Sequence, residues 1–413
     1  MSTGFLNPRQ PWKGRRIVLG VTGSIAAYKA VAIARSLTSL GAEVDAILTD
    51  GARHFVSPLS FEGVTGRRSL TDLFSVENSA LHINLGSEAD VVCVAPATAD
   101  FISRASQGRA NDLLSTTLLA TRAPVLICPA MNTNMYTHPQ TQENLKHLTD
   151  HLSYRVAGPG VGPLAYGENQ GLGRMLNPEE IIEEIGRVLV SPSLLTNKVV
   201  LVTAGPTEES IDPVRFISNR SSGRMGFAIA QAAYRLGASV RLISGPVTLP
   251  DPYGIDLVKV NTAQEMLASV SEYLPKADVS IFAAAVSDYR PRSVNDKKIK
   301  RSKENTAYAL DLIENPDVAL DTLGNRKEGS ITVGFALETE SILENAQKKL
   351  KRKQFDFLVA NSAAEADAGF DVETNRVILL FPGGRCEEVP LMTKHEVSEV
   401  VLSHILQLLE NRL

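Results

Sequence analysis

The feature that most constrains this chain is a local pattern that occurs twice, far apart in the sequence. In each copy a short apolar run ends in a glycine loop, a helical pattern follows, a glycine stops it, and a second apolar run begins. The copies occupy residues 16–48 and 199–243. This order is typical of a strand–helix–strand unit. The distance between the copies far exceeds the repeat of a solenoid, so we predict two doubly wound α/β domains, residues 1–190 and 191–413.

Further apolar runs supply more strands to each predicted domain. They are continuous rather than alternating, as expected for parallel strands that are buried on both faces. The first domain has 90–95 and 125–128, and the second has 279–284, 331–336 and 357–360. A predicted helix at 178–190 ends the first domain, and a run at 376–381 with a helix at 393–411 closes the second.

Composition excludes several classes of protein. The 413 residues are 44% hydrophobic and 21% charged, which argues against a disordered chain. The net charge of −4 argues against a nucleic-acid partner. No apolar run is long enough for a membrane span. Cys93, Cys128 and Cys386 lack metal-site spacing. With no apolar signal segment at the start, we expect a cytoplasmic protein without membrane or nucleic-acid partners.

The first glycine loop, Gly20–Ile25, is a candidate anion site. It joins a strand to a helix, where backbone N–H groups and the helix dipole favour a phosphate. Its spacing is not that of a dinucleotide site, and no acidic residue is placed to hold a ribose. A mononucleotide such as FMN therefore fits better, with Ser24 as a hydroxyl donor. The alternative is a plain glycine turn without a ligand.

Two polar residues near other strand ends are candidates for chemistry. Asn132 follows the run 125–128 and offers both a donor and an acceptor to a carboxylate. Its alternative role, capping the next helix, is the more common one for such a position. His82 lies between apolar residues, where a histidine is more often a satisfied core residue than a base.

These segments carry a family resemblance. GVTGSIAAYK, ALHINL, APATAD, ANDLLST and PAMNTNM resemble the flavin-dependent cysteine decarboxylases, a flavodoxin-like family. Residues 14–410 as a whole resemble the bacterial bifunctional enzymes of coenzyme A biosynthesis. Those enzymes fuse a phosphopantothenoylcysteine decarboxylase to a Rossmann-like phosphopantothenate–cysteine ligase.

For the first domain, the resemblance implies decarboxylation through FMN. The flavin would oxidise the cysteine thiol to a thioaldehyde, carbon dioxide would leave, and the resulting enethiol would be reduced. His82 matches the catalytic histidine, and Asn132 matches the asparagine that holds the substrate carboxylate. The residues that the resemblance places at FMN are Gly23, Ser24, Ile25, Thr49, Phe55, Ala97 and Thr98.

The chain departs from the family pattern at the lid of the decarboxylase. There the family has a cysteine that donates a proton in the last reduction, and this chain has Tyr166. We hypothesise that the Tyr166 hydroxyl replaces the thiol, although its ordinary pKa is near 10 against about 8.5 for cysteine. Three alternatives are release of the oxidised enethiol, another cysteine-containing substrate, and a flavin domain that is weak or purely structural beside an active ligase.

The second glycine loop precedes the helix at 226–236 and is rich in small hydroxyls. Arg215, Arg220 and Arg224 add positive charge there, so anion binding is favoured over a solvated loop. Two basic runs are predicted to reach the same sheet edge, with enough charge for a triphosphate. They are Lys297, Lys298, Lys300, Arg301 and Lys303, and Lys348, Lys349, Lys351, Arg352 and Lys353.

For this domain, the resemblance implies a CTP-dependent ligase. CTP would activate the carboxyl of 4'-phosphopantothenate as an acyl-cytidylate, and the amine of L-cysteine would then attack. Asn219 would hold the acyl-cytidylate and Arg215 would assist. Lys298 would bind the nucleotide and serve the cysteine step, and Arg301 departs from the lysine of the family pattern. The other implied nucleotide contacts are Ala284, Asp288, Pro316, Asp317, Val318, Ala319, Phe335, Lys349 and Lys353.

The resemblance also implies a metal ion and an assembly. Mg²⁺ is expected to offset the triphosphate charge, and Asp288 could pair with the base or with that ion. The family members are homo-oligomers with a trimer-based decarboxylase core, up to a dodecamer, in which the ligase domains pair as dimers.

Overall fold

The structure is a computed structural model, and it describes residues 11–74, 80–164, 167, 170–190, 194–300, 308–338, 341–362 and 374–412. The chain forms two compact units, Gln10–Pro192 and Ser193–Leu413. Each unit has a parallel sheet with helices, which confirms the predicted α/β class. No helix within the described ranges combines the length and the apolar character that crossing a membrane requires.

The first unit is built on a five-stranded parallel sheet with the order β2-β1-β3-β4-β5. This is the flavodoxin order, and it reverses direction between β1 and β3. The strands of this unit are β1 Arg16–Val21, β2 Glu43–Leu48, β3 Val91–Ala97, β4 Val125–Pro129, β5 Arg155–Val156, β6 Gly160–Pro163 and β7 Gln170–Arg174. Strands β6 and β7 form a separate antiparallel hairpin.

The helices of the first unit contact one another in two groups. One group is α1, α3 and α9, and in the other α4 packs on α6 and α5 on α8. Their bounds are α1 Ala27–Ser39, α2 Asp50–Arg53, α3 Pro58–Thr65, α4 Leu81–Glu88, α5 Ala99–Ser106, α6 Leu113–Ala120, α7 Thr133–Thr137, α8 Pro139–Asp150 and α9 Pro178–Leu189.

Local sequence explains why these helices begin and end where they do. Gly41 stops α1 with a φ of 86°, a conformation that side chains with a Cβ rarely adopt. Asn177 and Glu180 form a capping box at the start of α9, and Pro178 occupies its first turn. The segment before β1 also contacts α9. There the indole N–H of buried Trp12 donates to the carbonyl of Ile182 in α9 at 3.2 Å.

The second unit has an eight-stranded sheet with the order β12-β11-β8-β13-β16-β17-β18-β19. The strands from β12 to β17 are parallel, and β18 and β19 are antiparallel to their neighbours. The sheet strands are β8 Val199–Ala204, β11 Ser239–Ser244, β12 Asp256–Lys259, β13 Val279–Phe282, β16 Ile331–Glu338, β17 Phe357–Ser362, β18 Thr374–Leu380 and β19 Cys386–Thr393.

In the described ranges, the second unit also has two small antiparallel pairs and α-helices α10 to α14. The pairs are β9 Glu208–Ser210 with β10 Phe216–Ser218, and β14 Tyr289–Pro291 with β15 Leu312–Glu314. The helices are α10 Arg224–Arg235, α11 Ala263–Tyr273, α12 Val318–Asp321, α13 Ile342–Arg352 and α14 Lys394–Asn411. An ion pair between buried Arg235 and half-buried Glu399, at 2.8 Å, joins α10 to α14.

Candidate active sites

In the first unit, the loops after β1 and β3 are tied together by one threonine. The hydroxyl of Thr22 donates to the carbonyl of Pro96 at 2.8 Å and accepts the backbone N–H of Thr98 at 3.1 Å. Because β1 and β3 flank the point where strand order reverses, these loops form the edge at which open α/β sheets bind ligands. Sequence reasoning missed Thr22, whose only signal was a hydroxyl directly after a buried strand.

The Gly23 loop also approaches the segment after β2 closely. A Cβ added to Gly23 would lie 3.0 Å from backbone atoms of Gly51. Thr49 caps α2 by accepting the N–H of Ala52 and donates to the carbonyl of Val21, both at 3.3 Å. The predicted cofactor residues Gly23 and Thr49 therefore lie on neighbouring loops of one edge.

The other predicted cofactor residues offer small polar and apolar surfaces. Ser24 accepts the N–H of Ala26, and Thr98 caps α5. Ile25 and Phe55 expose 61% and 48% of their surfaces, while Ala97 is buried. Backbone N–H groups at a close-packed glycine loop suit a phosphate, and exposed apolar side chains suit a flat ring, so these residues fit a flavin mononucleotide.

His82 lies in the first turn of α4 and is half-buried. Its Nδ1 is buried and has no hydrogen-bond partner among the described residues. Leaving a buried polar group unpaired costs about 1–3 kcal/mol, so such a nitrogen needs a reason to be there. The interpretation of His82 as a satisfied core residue does not match this arrangement.

The β6–β7 hairpin is docked against the loop that carries Asn132. The N–H of Met131 donates to the carbonyl of Gly173 at 3.0 Å. Cβ atoms added to Gly173 and Gly171 would lie 2.2 Å from the Met131 carbonyl oxygen and 2.3 Å from the Thr133 hydroxyl, respectively. Only glycine permits this approach, which sequence reasoning did not anticipate.

Asn132 itself caps α7, as the alternative prediction had it. Its side-chain oxygen accepts the N–H of Asn134 at 2.7 Å, a bond that does not use its amide N–H groups. The loop between β6 and β7 contains Tyr166, which lies outside the described residues.

The second unit has a cavity of about 630 Å³ at the carboxyl edge of its sheet. Its walls come from the ends of β13, β16 and β17 and from the loop before α10. The predicted residues that line it are Asn219, Ala284, Asp288, Pro316, Asp317, Val318, Ala319, Phe335, Lys349 and Lys353. Arg215 and Lys298 are not among the lining residues, and Arg301 lies outside the described part of the chain.

Three basic side chains of this cavity are paired with carboxylates. Lys353 and Arg352 contact the carboxylate of Asp317 at 2.8 and 2.9 Å, and Lys349 contacts Glu338 at 2.7 Å. Burial alone would raise the pKa of Asp317, but the hydrogen bond and charge of Lys353 outweigh it and lower that pKa. The cavity thus holds cations that an anionic ligand can recruit.

The start of α10 gives the cavity a second anion-binding feature. Gly223 adopts a φ of 75° before the helix, and Gly226 lies so close to β8 that an added Cβ would be 2.6 Å from the Ala204 side chain. Asn219 donates from its side-chain amide to the carbonyl of Ala285 at 3.0 Å, which orients it at the cavity wall. N–H groups at such a glycine-rich helix start favour phosphate.

Among the polar residues that line the cavity and that sequence reasoning missed, three come from the far end of the second unit's chain. They are Asn361 at the end of β17, Asn375 at the start of β18 and Lys394 at the start of α14. Asn375 and Lys394 are 3% and 5% exposed. The antiparallel course of β18 and β19 brings them to this edge, which no local motif indicates.

A protein-derived metal cluster is not evident in the described ranges, since no group of three or more His, Cys, Asp and Glu side chains comes together there. Magnesium commonly needs only one or two carboxylates when phosphates supply its other ligands. Asp288 and Asp317 are carboxylates on the cavity wall.

Comparisons with known proteins cover nearly the whole chain. Residues 6–190 match the family described as Flavoprotein, and residues 195–409 match the DNA/pantothenate metabolism flavoprotein C-terminal domain. The coenzyme A biosynthesis bifunctional protein CoaBC of Vibrio cholerae is 42% identical over 395 residues, which is 95% of this chain and 98% of that protein. The chain belongs to this family.

A second curated relative and a solved structure are also similar to this chain. The CoaBC protein of Bacillus subtilis is 42% identical over 396 residues, covering 95% of this chain and 96% of that protein. A solved C-terminal domain of a CoaBC protein is 40% identical, covers 53% of this chain and 99% of its own, and superposes with a TM-score of 0.45. The predicted function is confirmed: this member of the CoaBC family is a flavoprotein of coenzyme A biosynthesis with decarboxylase and ligase activities.

Proposed function

We propose that residues 1–190 catalyse FMN-dependent decarboxylation of phosphopantothenoylcysteine, and that residues 191–413 catalyse the preceding step. That step is the CTP-dependent condensation of 4'-phosphopantothenate with L-cysteine. Support for this division comes from the two separate ligand-binding edges, one at the β1–β3 loops and one at the cavity of the second unit. The family membership supports the order of the two reactions.

FMN in this proposal is held by Gly23, Ser24, Ile25, Thr49, Phe55, Ala97 and Thr98. The N–H groups of the Gly23 loop, which Thr22 ties to the end of β3, would hold its phosphate. Ile25 and Phe55 supply apolar surface for the ring. When bound, the flavin supplies two-electron redox chemistry to the substrate thiol.

The chain's own groups bind the substrate and move protons. His82 has an unpaired Nδ1, and we propose that this imidazole exchanges a proton with the substrate. The amide N–H groups of Asn132 donate to the substrate carboxylate, while its oxygen keeps the cap of α7. The docked β6–β7 hairpin shields the site from water.

Replacing His82 by Asn tests this site. We expect carbon dioxide release to fall by about 100-fold or more, within the range of general acid–base catalysis, while the purified protein keeps its yellow flavin. His147→Asn is a matched control, because His147 is exposed on α8. Unchanged carbon dioxide release by His82→Asn would contradict the proposed proton transfer.

Tyr166 is proposed to donate the last proton of the decarboxylase reaction in place of the family's cysteine. The mass of the product separates the possibilities. Wild-type protein and Tyr166→Cys should both form 4'-phosphopantetheine, and Tyr166→Phe should release a product two hydrogens lighter. A light product from the wild type would refute the role of Tyr166, and the absence of any product would favour a structural flavin domain.

CTP in this proposal occupies the cavity of the second unit, and that cavity is the observation on which the ligase site depends. As CTP binds, Lys349 leaves Glu338 and Lys353 leaves Asp317, and both ammonium groups then contact the triphosphate. The substrate carboxylate attacks the α-phosphorus and pyrophosphate leaves. The cysteine amine then attacks the acyl carbon, CMP leaves, and the amine loses a proton. Asn219, oriented by Ala285, faces the acyl-cytidylate.

Lys353→Met tests the nucleotide site. Loss of one charge-assisted contact is expected to raise the KM for CTP by about tenfold or more. Lys351→Met is the matched control, since Lys351 lies in the last turn of α13, two residues before Lys353, is exposed and does not line the cavity. Equal KM values for the two variants would contradict the site, and parallel assays with ATP establish the nucleotide preference.

Three expectations extend the proposal beyond these sites. Mg²⁺ accompanies the triphosphate, so chelation should abolish the ligase reaction and leave carbon dioxide release intact. Lys298 serves the same reaction, and Arg215 assists it.

The protein works in the cytoplasm as a homo-oligomer with a trimer-based decarboxylase core and dimeric ligase domains. Light scattering of the purified protein tests the oligomeric state.

A further inference from the structure

Asp212 is a buried carboxylate to which the proposed chemistry gives no role. It lies between β9 and β10, and its side chain is 0% exposed. One oxygen, Oδ1, accepts the backbone N–H groups of Val214 at 2.8 Å and Arg215 at 2.9 Å. This is the turn that an Asp-Pro sequence favours, and it uses only one of the two carboxylate oxygens.

The other oxygen, Oδ2, binds a distant part of the chain. It accepts the backbone N–H of Ile299 at 3.1 Å and the side-chain Nε of Arg215 at 3.0 Å. Arg215 donates from its guanidinium to the carbonyl of Ile299. Ile299 is therefore held at both its N–H and its C=O by an ion pair that belongs to the β9–β10 segment.

Ile299 stands between two lysines of the basic motif. Lys298 and Lys300 are exposed, whereas Ile299 is half-buried. A second tie joins the same two segments, from the N–H of Asn295 to the carbonyl of Ile211 at 3.0 Å. Fixing the backbone between two long, solvated side chains limits where both ammonium groups can reach.

The carboxylate is ionised at any working pH. Burial alone would raise the pKa of Asp212, but the N–H groups of Ile299, Val214 and Arg215 outweigh it and lower that pKa to about 2. The negative charge that holds Arg215 and Ile299 is thus present at neutral pH.

We propose that Asp212 is a positioning residue of the ligase, which holds the Lys298–Lys300 segment in its working place through Ile299 and Arg215. This inference rests on the proposed ligase function, in which Lys298 acts on the nucleotide. It also gives Arg215 a specific task, since Arg215 is not among the cavity-lining residues but binds the motif directly.

Asp212→Asn tests the two carboxylate oxygens separately, because it keeps one acceptor and replaces the other by a donor. The amide oxygen can still accept the N–H groups of Val214 and Arg215, but its NH₂ group faces the donors of Ile299 and Arg215. We expect kcat/KM of the ligase to fall by about 10- to 100-fold, the scale of a lost alignment. Glu209→Gln is the matched control, because Glu209 is a buried carboxylate of the same β9–β10 pair that accepts the N–H of Ala263 instead. The control should stay within about twofold of the wild type.

A double-mutant cycle decides between positioning and general stability. If Asp212 acts through the lysines, Asp212→Asn should cost less than about twofold in a Lys298→Ala, Lys300→Ala background, because coupled residues are not additive. The same fold loss in both backgrounds would overturn the inference, as would a ligase activity of Asp212→Asn within twofold of the wild type.

Ile299→Pro gives a second route if Asp212→Asn lacks a cooperative unfolding transition. Proline removes the N–H that Oδ2 accepts and leaves Asp212 in place. It should show the same loss and the same non-additivity, and normal ligase activity would overturn the inference. A wild-type protein without CTP-dependent amide formation would contradict the proposed function instead, so the two failures are distinguishable.

Discussion

At the scale of single residues, fixed donors lower the pKa of two carboxylates of the second unit, buried Asp212 and half-buried Asp317. Asp212 is held by three backbone N–H groups and Arg215, and Asp317 by Lys353, Arg352 and the cap of α12. In both cases burial alone would raise the pKa, and the hydrogen bonds lower it. The two carboxylates differ in their access to a ligand, since Asp317 lines the cavity and Asp212 does not.

This arrangement predicts how stability depends on pH. The pKa of Asp212 is about 2 in the folded chain, against about 3.9 when unfolded. A folded pKa below the unfolded one means that the contribution of Asp212 is complete above about pH 4 and is lost as the pH falls towards 2. The difference in free energy of unfolding between the wild type and Asp212→Asn should therefore shrink from pH 6 to pH 3 in urea titrations. A difference that stays constant with pH would contradict this prediction.

Asp288 was predictable because it follows a strand end, and a parallel sheet gathers its strand ends at one edge. Asp317 and Phe335 were expected from the family resemblance alone, and all three residues line the same cavity. Lys394 and Asn375 were not predictable, since their place depends on two antiparallel strands at the far side of the sheet. The sequence did not indicate a role for Asp212, because its bond to Ile299 spans 87 positions.

At the scale of elements, burial decides how well the sequence predicts structure. Strand β3 is buried along all seven residues and appears as a continuous apolar run. The β6–β7 hairpin has short strands rich in glycine, with no periodic signal, so it was not predicted. Its place comes from contacts with the loop after β4, which lies far away in sequence.

Gly173→Ala tests the importance of that docking. Gly173 has a φ of 141°, and its new Cβ would lie 2.2 Å from the Met131 carbonyl oxygen, so the hairpin must shift. Strain of this kind costs about 1–3 kcal/mol. We expect carbon dioxide release to fall by about tenfold or more, because misplacing a positioning element has such effects, while ligase activity is unchanged.

Gly160→Ala provides the matched control for this experiment. Gly160 lies on the other strand of the hairpin, and an added Cβ would meet its nearest neighbour, Leu176, at an ordinary 3.5 Å. This variant should retain carbon dioxide release. Equal losses in both variants would mean that the hairpin tolerates no alanine, and a fully active Gly173→Ala would rule out a role for the docking.

At the scale of the whole molecule, each unit carries its own sheet, its own core and its own candidate site. The larger buried clusters include one around β3 and β4 and another around α11, α13 and β17, in different units. The repeated strand–loop–helix pattern predicted this duplication, because each copy encodes a parallel sheet with a ligand edge. Each site is therefore expected to stabilise the unit to which it belongs.

Calorimetry of the full chain tests that expectation. At a ligand concentration of about 100 times Kd, binding adds about 2.7 kcal/mol to the unit that binds, which for units of this size corresponds to roughly 5–10 °C in Tm. CTP with Mg²⁺ should raise one of two unfolding transitions, and FMN should raise the other. Lys353→Met should abolish most of the CTP shift and leave the FMN shift intact. A single transition that moves with either ligand would show that the units unfold together, and a CTP shift that Lys353→Met leaves untouched would show that CTP binds elsewhere.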